Sequence, residues 1–226
     1  MTSTSPRHAI AELTKPGGAL DLGHDQARLL IRMFHLLVEG QPVSREHALN
    51  ATAELGIDRT RVDALLDTWT ERDNAGAIVG LGITHNPTAH QMTINGKRMW
   101  AWCGMDTLIF AHILRQPITI ESTPPDSGEV VRLQAGPSGV TAVTPVEAVV
   151  TQRVPSSDQV DLSSTAAIWG TFCHHNLFFP HRAHAKQWAA GRDNHGTDIV
   201  VMSIEDGYVV AREMAAALLR YEPGVA

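Results

Sequence analysis

Cysteine is scarce in this chain: there are two among 226 residues, Cys103 and Cys173, seventy positions apart. So sparse a pair excludes the dense disulfide framework of a small secreted domain, and a reducing compartment keeps both as thiols, free to act as soft ligands. Long apolar runs are missing too. Met1 to His24 is polar and broken by Pro6, Pro16, Gly17 and Gly18, with no apolar core for a signal peptide, and nothing later reads as a membrane span. The expectation is a cytoplasmic protein with a loose N-terminal arm and no membrane partner. Positive charge is also in short supply, since 18 Lys and Arg against 24 Asp and Glu leave a formal net charge of −6. That balance argues against a dedicated nucleic-acid binder and against adhesion to anionic membrane, and makes small-molecule chemistry more natural. No repeat or low-complexity tract occurs. With 43% hydrophobic and 19% charged residues, the chain can build one large or two small globular domains.

Apolar spacing predicts a helix over 25–38, stopped by Gly40 and Pro42, a second helix capped by Ser44 and ending at Gly56, and a third over about 58–72. Short strands over 77–84 and 91–94, with an Asn95-Gly96 turn, complete a winged-helix outline. DNA reading by it is disfavoured, because the third helix sets Arg59, Arg61 and Arg72 against Asp58, Asp63, Asp67, Glu71 and Asp73. Beyond residue 96, strands are predicted over 117–122, 130–133, 142–145 and 147–154, a helix over 182–190, a buried strand over 198–204 and an amphipathic helix over 206–219. The stretch 158–169 is ambiguous between loop and helix, and Cys173 is placed at the start or edge of a strand. The expected class is α+β: an arm over 1–24, a winged-helix-like domain over 25–95, and over 96–226 a mixed, mainly antiparallel sheet with flanking helices, holding both cysteines.

The chemistry concentrates in Trp100-Ala101-Trp102-Cys103-Gly104-Met105-Asp106-Thr107-Leu108-Ile109-Phe110. If the apolar run after Asp106 is helical, Cys103 lies at the helix N-terminus with Asp106 three residues on, on the same face. Unpaired backbone N–H groups and the dipole there favour a thiolate, so Cys103 is a candidate reactive cysteine. A free cysteine is also commonly just a small buried hydrophobe, and a first-turn aspartate commonly just a dipole partner. His174 and His175 beside Cys173 raise a zinc or copper site built with Cys103, Asp106 and Cys173 as an alternative, although no pair has the spacing of a structural zinc site. A cysteine hydrolase with His112 or His175 as base is a third. It leaves Cys173 without a role.

The pattern Ala101-Trp102-Cys103-x-x-Asp106-Thr107-Leu108-Ile109-Phe110, followed by Phe172-Cys173-x-His175-x-x-Phe178-Phe179, resembles the signature of the organomercurial (alkylmercury) lyases. The likeness extends through Gly40-Gln41-Pro42-Val43-Ser44-Arg45, Trp188 and the run from Val200 to Asp206, covering nearly all the chain beyond residue 25. It implies Cys103 and Cys173 as mercury ligands and Asp106 as proton shuttle, and the residues beside the thiols, Trp102, Phe172 and His175, are expected to line the substrate pocket. It also implies no organic cofactor, external thiols for product release, and hand-off of Hg2+ to a mercuric reductase. Thiolates are soft ligands suited to mercury bonded to carbon, and two neighbouring thiolates with an apolar surround from Trp102, Phe110 and Phe172 should raise the pKa of Asp106. The chain departs from many relatives in having His174 where they have a further cysteine, and none between residues 121 and 127. The catalytic trio is untouched by either change. The remaining alternative to a lyase is a cysteine/histidine metal-binding protein or a winged-helix metal-responsive regulator.

Overall fold

The computed structural model describes residues 6–125, 127–192 and 199–223 and opens with helices α1 (Pro6–Thr14), α2 (Gly23–Leu37), α3 (Arg45–Ala51) and α4 (Arg59–Trp69). Strands β1 (Glu71–Arg72), β2 (Ile78–Leu81), β3 (Ile83–Thr84), β4 (His90–Ile94) and β5 (Lys97–Ala101) lead into α5 (Gly104–Ile113). Then come β6 (Ile118–Ser122), β7 (Val131–Gly136), β8 (Gly139–Thr144), β9 (Val149–Arg153), α6 (Thr165–Thr171), β10 (Phe178–Phe179), α7 (Arg182–Ala190), β11 (Ile199–Ser203) and α8 (Ile204–Leu219).

Local chemistry sets the helix limits. The Ser44 hydroxyl accepts the His47 N–H at 3.1 Å and starts α3, while the Asp58 carboxylate accepts the Arg61 N–H at 3.0 Å and starts α4. Gly56, at φ 71°, supplies the left-handed residue that ends the turn after α3. α4 stops at Trp69, short of the predicted Arg72, because Glu71 and Arg72 pair with β2 instead.

Eight strands form one antiparallel sheet in the order β1-β2-β3-β5-β4-β6-β7-β8, and three form a second, β10-β9-β11. The larger sheet is one-sided. In β7, Val131, Leu133 and Ala135 are buried while Arg132 and Gln134 are exposed, and in β6 the buried Ile118 and Ile120 flank the exposed Thr119. The register places Ile120 between Met92 and Leu133, so one apolar stripe crosses three strands. Against it lies α5, whose other side meets α8. Because α5 is covered on both sides it is apolar nearly all round, with Met105, Leu108, Phe110, Ala111 and Ile113 buried. Burying each of the larger side chains stabilises the fold by about 1.5–3 kcal/mol relative to exposure.

The structure is α+β with antiparallel sheets and flanking helices, and besides the shorter α4 it departs from the sequence reading in four further places. Within the expected loose arm, residues 6–14 are helical and Ile10 and Leu13 are buried, an i, i+3 apolar pair too short to register as a period. The expected wing strands, β2 with β3 and β4, are members of the eight-stranded sheet, which takes strands from both sides of residue 95, and β4 and β5 turn back on each other at Asn95-Gly96. Cys173 starts a 3-10 turn, Cys173–His175, directly after α6, with no strand there. β11 is only partly buried, since it is the edge of its small sheet, and Asp198 of the expected strand lies outside the described residues.

Candidate active site

Cys103 is the N-cap residue of α5, with extended backbone (φ −146°), because the sheet strand β5 ends at Ala101 and the helix begins at Gly104. Asp106 is the third helical residue. Its carboxylate reaches back to accept the Cys103 N–H at 3.1 Å while its own N–H faces the Cys103 sulfur, a reciprocal arrangement that holds thiol and carboxyl on one side of the helix start. The glycine between them sits in a tight place: a Cβ on Gly104 would meet Asn176 O at 3.0 Å and the Phe178 ring at 3.1 Å. Gly104→Ala is therefore expected to cost about 1–3 kcal/mol of stability through overpacking, read as a lower midpoint in a denaturant melt.

Cys173 arrives from the opposite direction. Ser164 caps α6 by accepting the Ala167 N–H at 3.1 Å, and the seven-residue helix delivers its C-terminal end to the 3-10 turn that carries the thiol. Both cysteines are free and buried, and the Cys103 sulfur, the Cys173 sulfur and an Asp106 carboxylate oxygen all lie within 4.8 Å of one another. Among the described residues this is the one group of three or more His, Cys, Asp or Glu side chains close enough to share an ion.

Burial governs the charges. It pushes the Cys103 thiol well above its ordinary value, and the hydrogen bond to Cys173 and the nearby Asp106 act in the same direction. For Cys173 the bond from Cys103 pulls down, but burial and Asp106 outweigh it and leave that thiol raised as well. Loss of water pushes the Asp106 carboxyl up to about 7, against a weaker downward pull from the Cys103 side chain and N–H. A carboxyl in that range can both accept and give a proton at neutral pH.

The trio opens on a cavity of about 200 Å³ with walls that are almost entirely apolar. Trp102, Phe172 and Met105 line it from the segments that carry the thiols, Trp69, Leu30 and Phe34 come from the helical N-terminal part, and Thr14, Leu20 and Leu22 join Met214 and Leu218 of α8. Phe110, expected around the site, stands one layer back with its ring edge-on to Phe34 at 5.0 Å. This part of the wall could not be found from sequence, because residues 14–22 and 214–218 come together through packing of α1 and α2 on α8.

The three histidines considered for the site lie elsewhere. His175, expected to line the pocket, is not part of its wall: its Nε2 lies 3.2 Å from Gly170 O, because the tight turn sends successive side chains in different directions. His174 is exposed and packs edge-on to Trp169. His112 is bound to Tyr208 O at 3.2 Å, nine residues along α5 from Cys103, about 13 Å at 1.5 Å per residue. Neither His112 nor His175 is therefore set as the base of a hydrolytic pair with Cys103, and among the described residues no cysteine–histidine metal set is assembled.

Two buried thiols and a tunable carboxyl on an apolar cavity define a protein for a soft cation that bears an organic group. The alkylmercury lyase family model, MerB, matches residues 83–216. The chain is 34% identical to the alkylmercury lyase of Streptomyces lividans over 83% of this chain and 81% of that one, and 33% identical to that of Bacillus cereus over 97% and 94%. The solved mercury-bound form of MerB2 shares its fold, with a TM-score of 0.70 at 21% identity over 92% of this chain and 98% of that chain. The chain belongs to the alkylmercury lyase family, and is an enzyme that cleaves carbon–mercury bonds.

Proposed function

We propose that Cys103, Cys173 and Asp106 carry out protonolysis of R–Hg+ to RH and Hg2+, on the strength of one observation: their three reactive atoms lie within 4.8 Å of one another beside an apolar cavity. One thiol loses its proton to the departing counter-ligand or to solvent as its sulfur bonds mercury. The second thiol then passes its proton to the Asp106 carboxylate and bonds mercury in turn, loading the metal with electron density and polarising the Hg–C bond towards carbon. Asp106 delivers that proton to the carbon as the bond breaks. The hydrocarbon leaves, Hg2+ remains on two thiolates, and the carboxylate is ready again.

No cofactor enters this sequence. External thiols are expected to exchange Hg2+ off the protein, and a mercuric reductase is a natural recipient of it. Such chemistry calls for a reducing compartment like the cytoplasm. Among the described residues no helix is long and apolar enough to cross a membrane. We read α2 to α4 as scaffold for the pocket rather than a DNA reader, since Arg45 is tied to Asp63 and Asp67, Arg61 to Asp25 and Arg72 to Asp67.

Incubation with methylmercury and excess monothiol, with methane measured in the headspace, tests the reading. Methane at a protein-dependent, multiple-turnover rate is the expected result, and none above a heat-inactivated control would overturn it. Below about pH 7 Asp106 already holds a proton and cannot accept the second one. kcat/KM is therefore expected to fall towards tenfold per pH unit on the acid side, with an apparent pKa belonging to the coupled trio.

A further inference from the structure

The two sulfurs come from separate sheets. Cys103 rides on α5 over the eight-stranded sheet, whereas Cys173 sits in the turn joining α6 to β10 of the three-stranded one. Their separation is therefore set at the joint between these units. Asn176 lies at that joint, beside the Phe178 ring that packs on Gly104, and the sequence gives it no role of its own. Asn176 is 2% exposed; its backbone carbonyl accepts the Gly104 N–H at 2.7 Å, and its side-chain Oδ1 accepts the Arg153 N–H of β9 at 2.8 Å.

The rest of the turn is pinned to the same strand. The Arg153 guanidinium donates to Thr171 O at 3.0 Å, and the Thr151 hydroxyl donates to His175 O at 2.7 Å and accepts the Leu177 N–H at 2.9 Å. Backbone pairing between β10 and β9 covers Val149 and Val150 and ends with the Thr151 N–H donating to Leu177 O at 2.8 Å, so beyond that point side chains continue the ladder while the chain turns away to present Cys173. Asn176 alone among these braces also touches the start of α5.

We infer that Asn176 is a positioning residue that fixes the distance between the Cys103 and Cys173 sulfurs, and so decides whether mercury is held by one thiolate or by two. This rests on the two-thiol mechanism proposed above. Capture of R–Hg+ needs one sulfur and tolerates a loose turn. Cleavage needs both sulfurs on the metal together, and retention of Hg2+ is a chelate effect that depends on their effective concentration at each other. Displacement of a reacting group by about 1 Å costs about a hundred-fold in rate, and removing a residue that orients a metal ligand about ten- to a hundred-fold. The side-chain acceptor is the device; the backbone carbonyl survives substitution.

The test compares Asn176→Leu, of similar size without an acceptor, with Asn176→Asp, which keeps an oxygen for the Arg153 N–H, and with Thr151→Val, which loosens the same turn from the other side. Benzene release from phenylmercury gives kcat and KM, and competition with a monothiol gives Hg2+ retention. For Asn176→Leu, kcat is expected to fall about ten- to a hundred-fold with KM nearly unchanged, and Hg2+ to be lost to the monothiol at a concentration lower by a similar factor. Asn176→Asp should recover most of both, and Thr151→Val should repeat the Leu phenotype more weakly. If Asn176→Leu does not fold, the contrast between Thr151→Val and wild type decides alone, through reduced kcat with unchanged KM. Wild-type kcat and retention in a folded Asn176→Leu or, failing that, in Thr151→Val would overturn the inference. So would an Asn176→Asp as impaired as Asn176→Leu. Failure of the wild type itself to release benzene would instead sink the lyase mechanism.

Discussion

Serine at either thiol position is expected to stop turnover while the two variants fail at different stages. A hydroxyl is a hard, un-ionised replacement for a soft thiolate, so neither Cys103→Ser nor Cys173→Ser can place two sulfurs on mercury. Loss of a residue that merely orients a metal ligand costs about ten- to a hundred-fold, and loss of the ligand should exceed that, leaving less than about a hundredth of the wild-type methane. The stages differ because the thiols are not equivalent. Burial raises both, but Cys173 accepts the hydrogen bond that Cys103 donates, which favours the Cys173 thiolate and holds the proton on Cys103. In Cys103→Ser the hydroxyl can still donate to Cys173, so one equivalent of methylmercury should be captured quickly and held uncleaved. In Cys173→Ser the surviving thiol is the harder to ionise, and capture itself should slow. Stopped-flow capture followed by mass spectrometry of the adduct separates the two. Methane from either variant near the wild-type rate would end the two-thiol mechanism.

Half of the site was legible in the sequence for a physical reason: it is local. Cys103 and Asp106 are three residues apart at the head of an apolar run, so a helix period is enough to put them together, and both stand where that reading put them. The Cys173 side has no such period. Thr165 to Thr171 gives a helix of only seven residues, closed by Phe172 in a non-helical conformation, and the 3-10 turn that follows is decided by Thr151, Arg153 and Asn176 across the small sheet. None of these contacts leaves a mark on Cys173-His174-His175 itself. Resemblance to a family identified the second thiol; periodicity could not. The same distinction holds for the fold. Ser44, Asp58 and Asn95-Gly96 announced their cap and turn positions, whereas the joining of β2 and β3 to the larger sheet, and of residues 14–22 to the cavity wall, depends on partners far along the chain.

Asp106→Asn should separate binding from cleavage. The amide keeps the shape of the carboxyl and an oxygen to accept the Cys103 N–H, so the start of α5 is preserved, but it has no proton to pass on. Mercury should still reach Cys103 and Cys173, and the Hg–C bond should survive. General acid catalysis contributes typically about a hundred- to ten-thousand-fold, and a loss of that size is expected, accompanied by disappearance of the acid limb near pH 7. Stability gives an independent check on the same carboxyl. Its folded pKa of about 7 stands above the unfolded value of roughly 3.9, so between those values the folded state holds more proton and stability falls as pH rises. The Asn variant carries no such cost: it should melt above wild type at pH 8, with the difference shrinking as pH drops through that window towards 4. An intact methylmercury adduct together with that pattern would assign both roles to Asp106. Methane at more than about a tenth of the wild-type rate, below the smallest expected effect, would mean that water supplies the proton and that Asp106 serves the helix start alone.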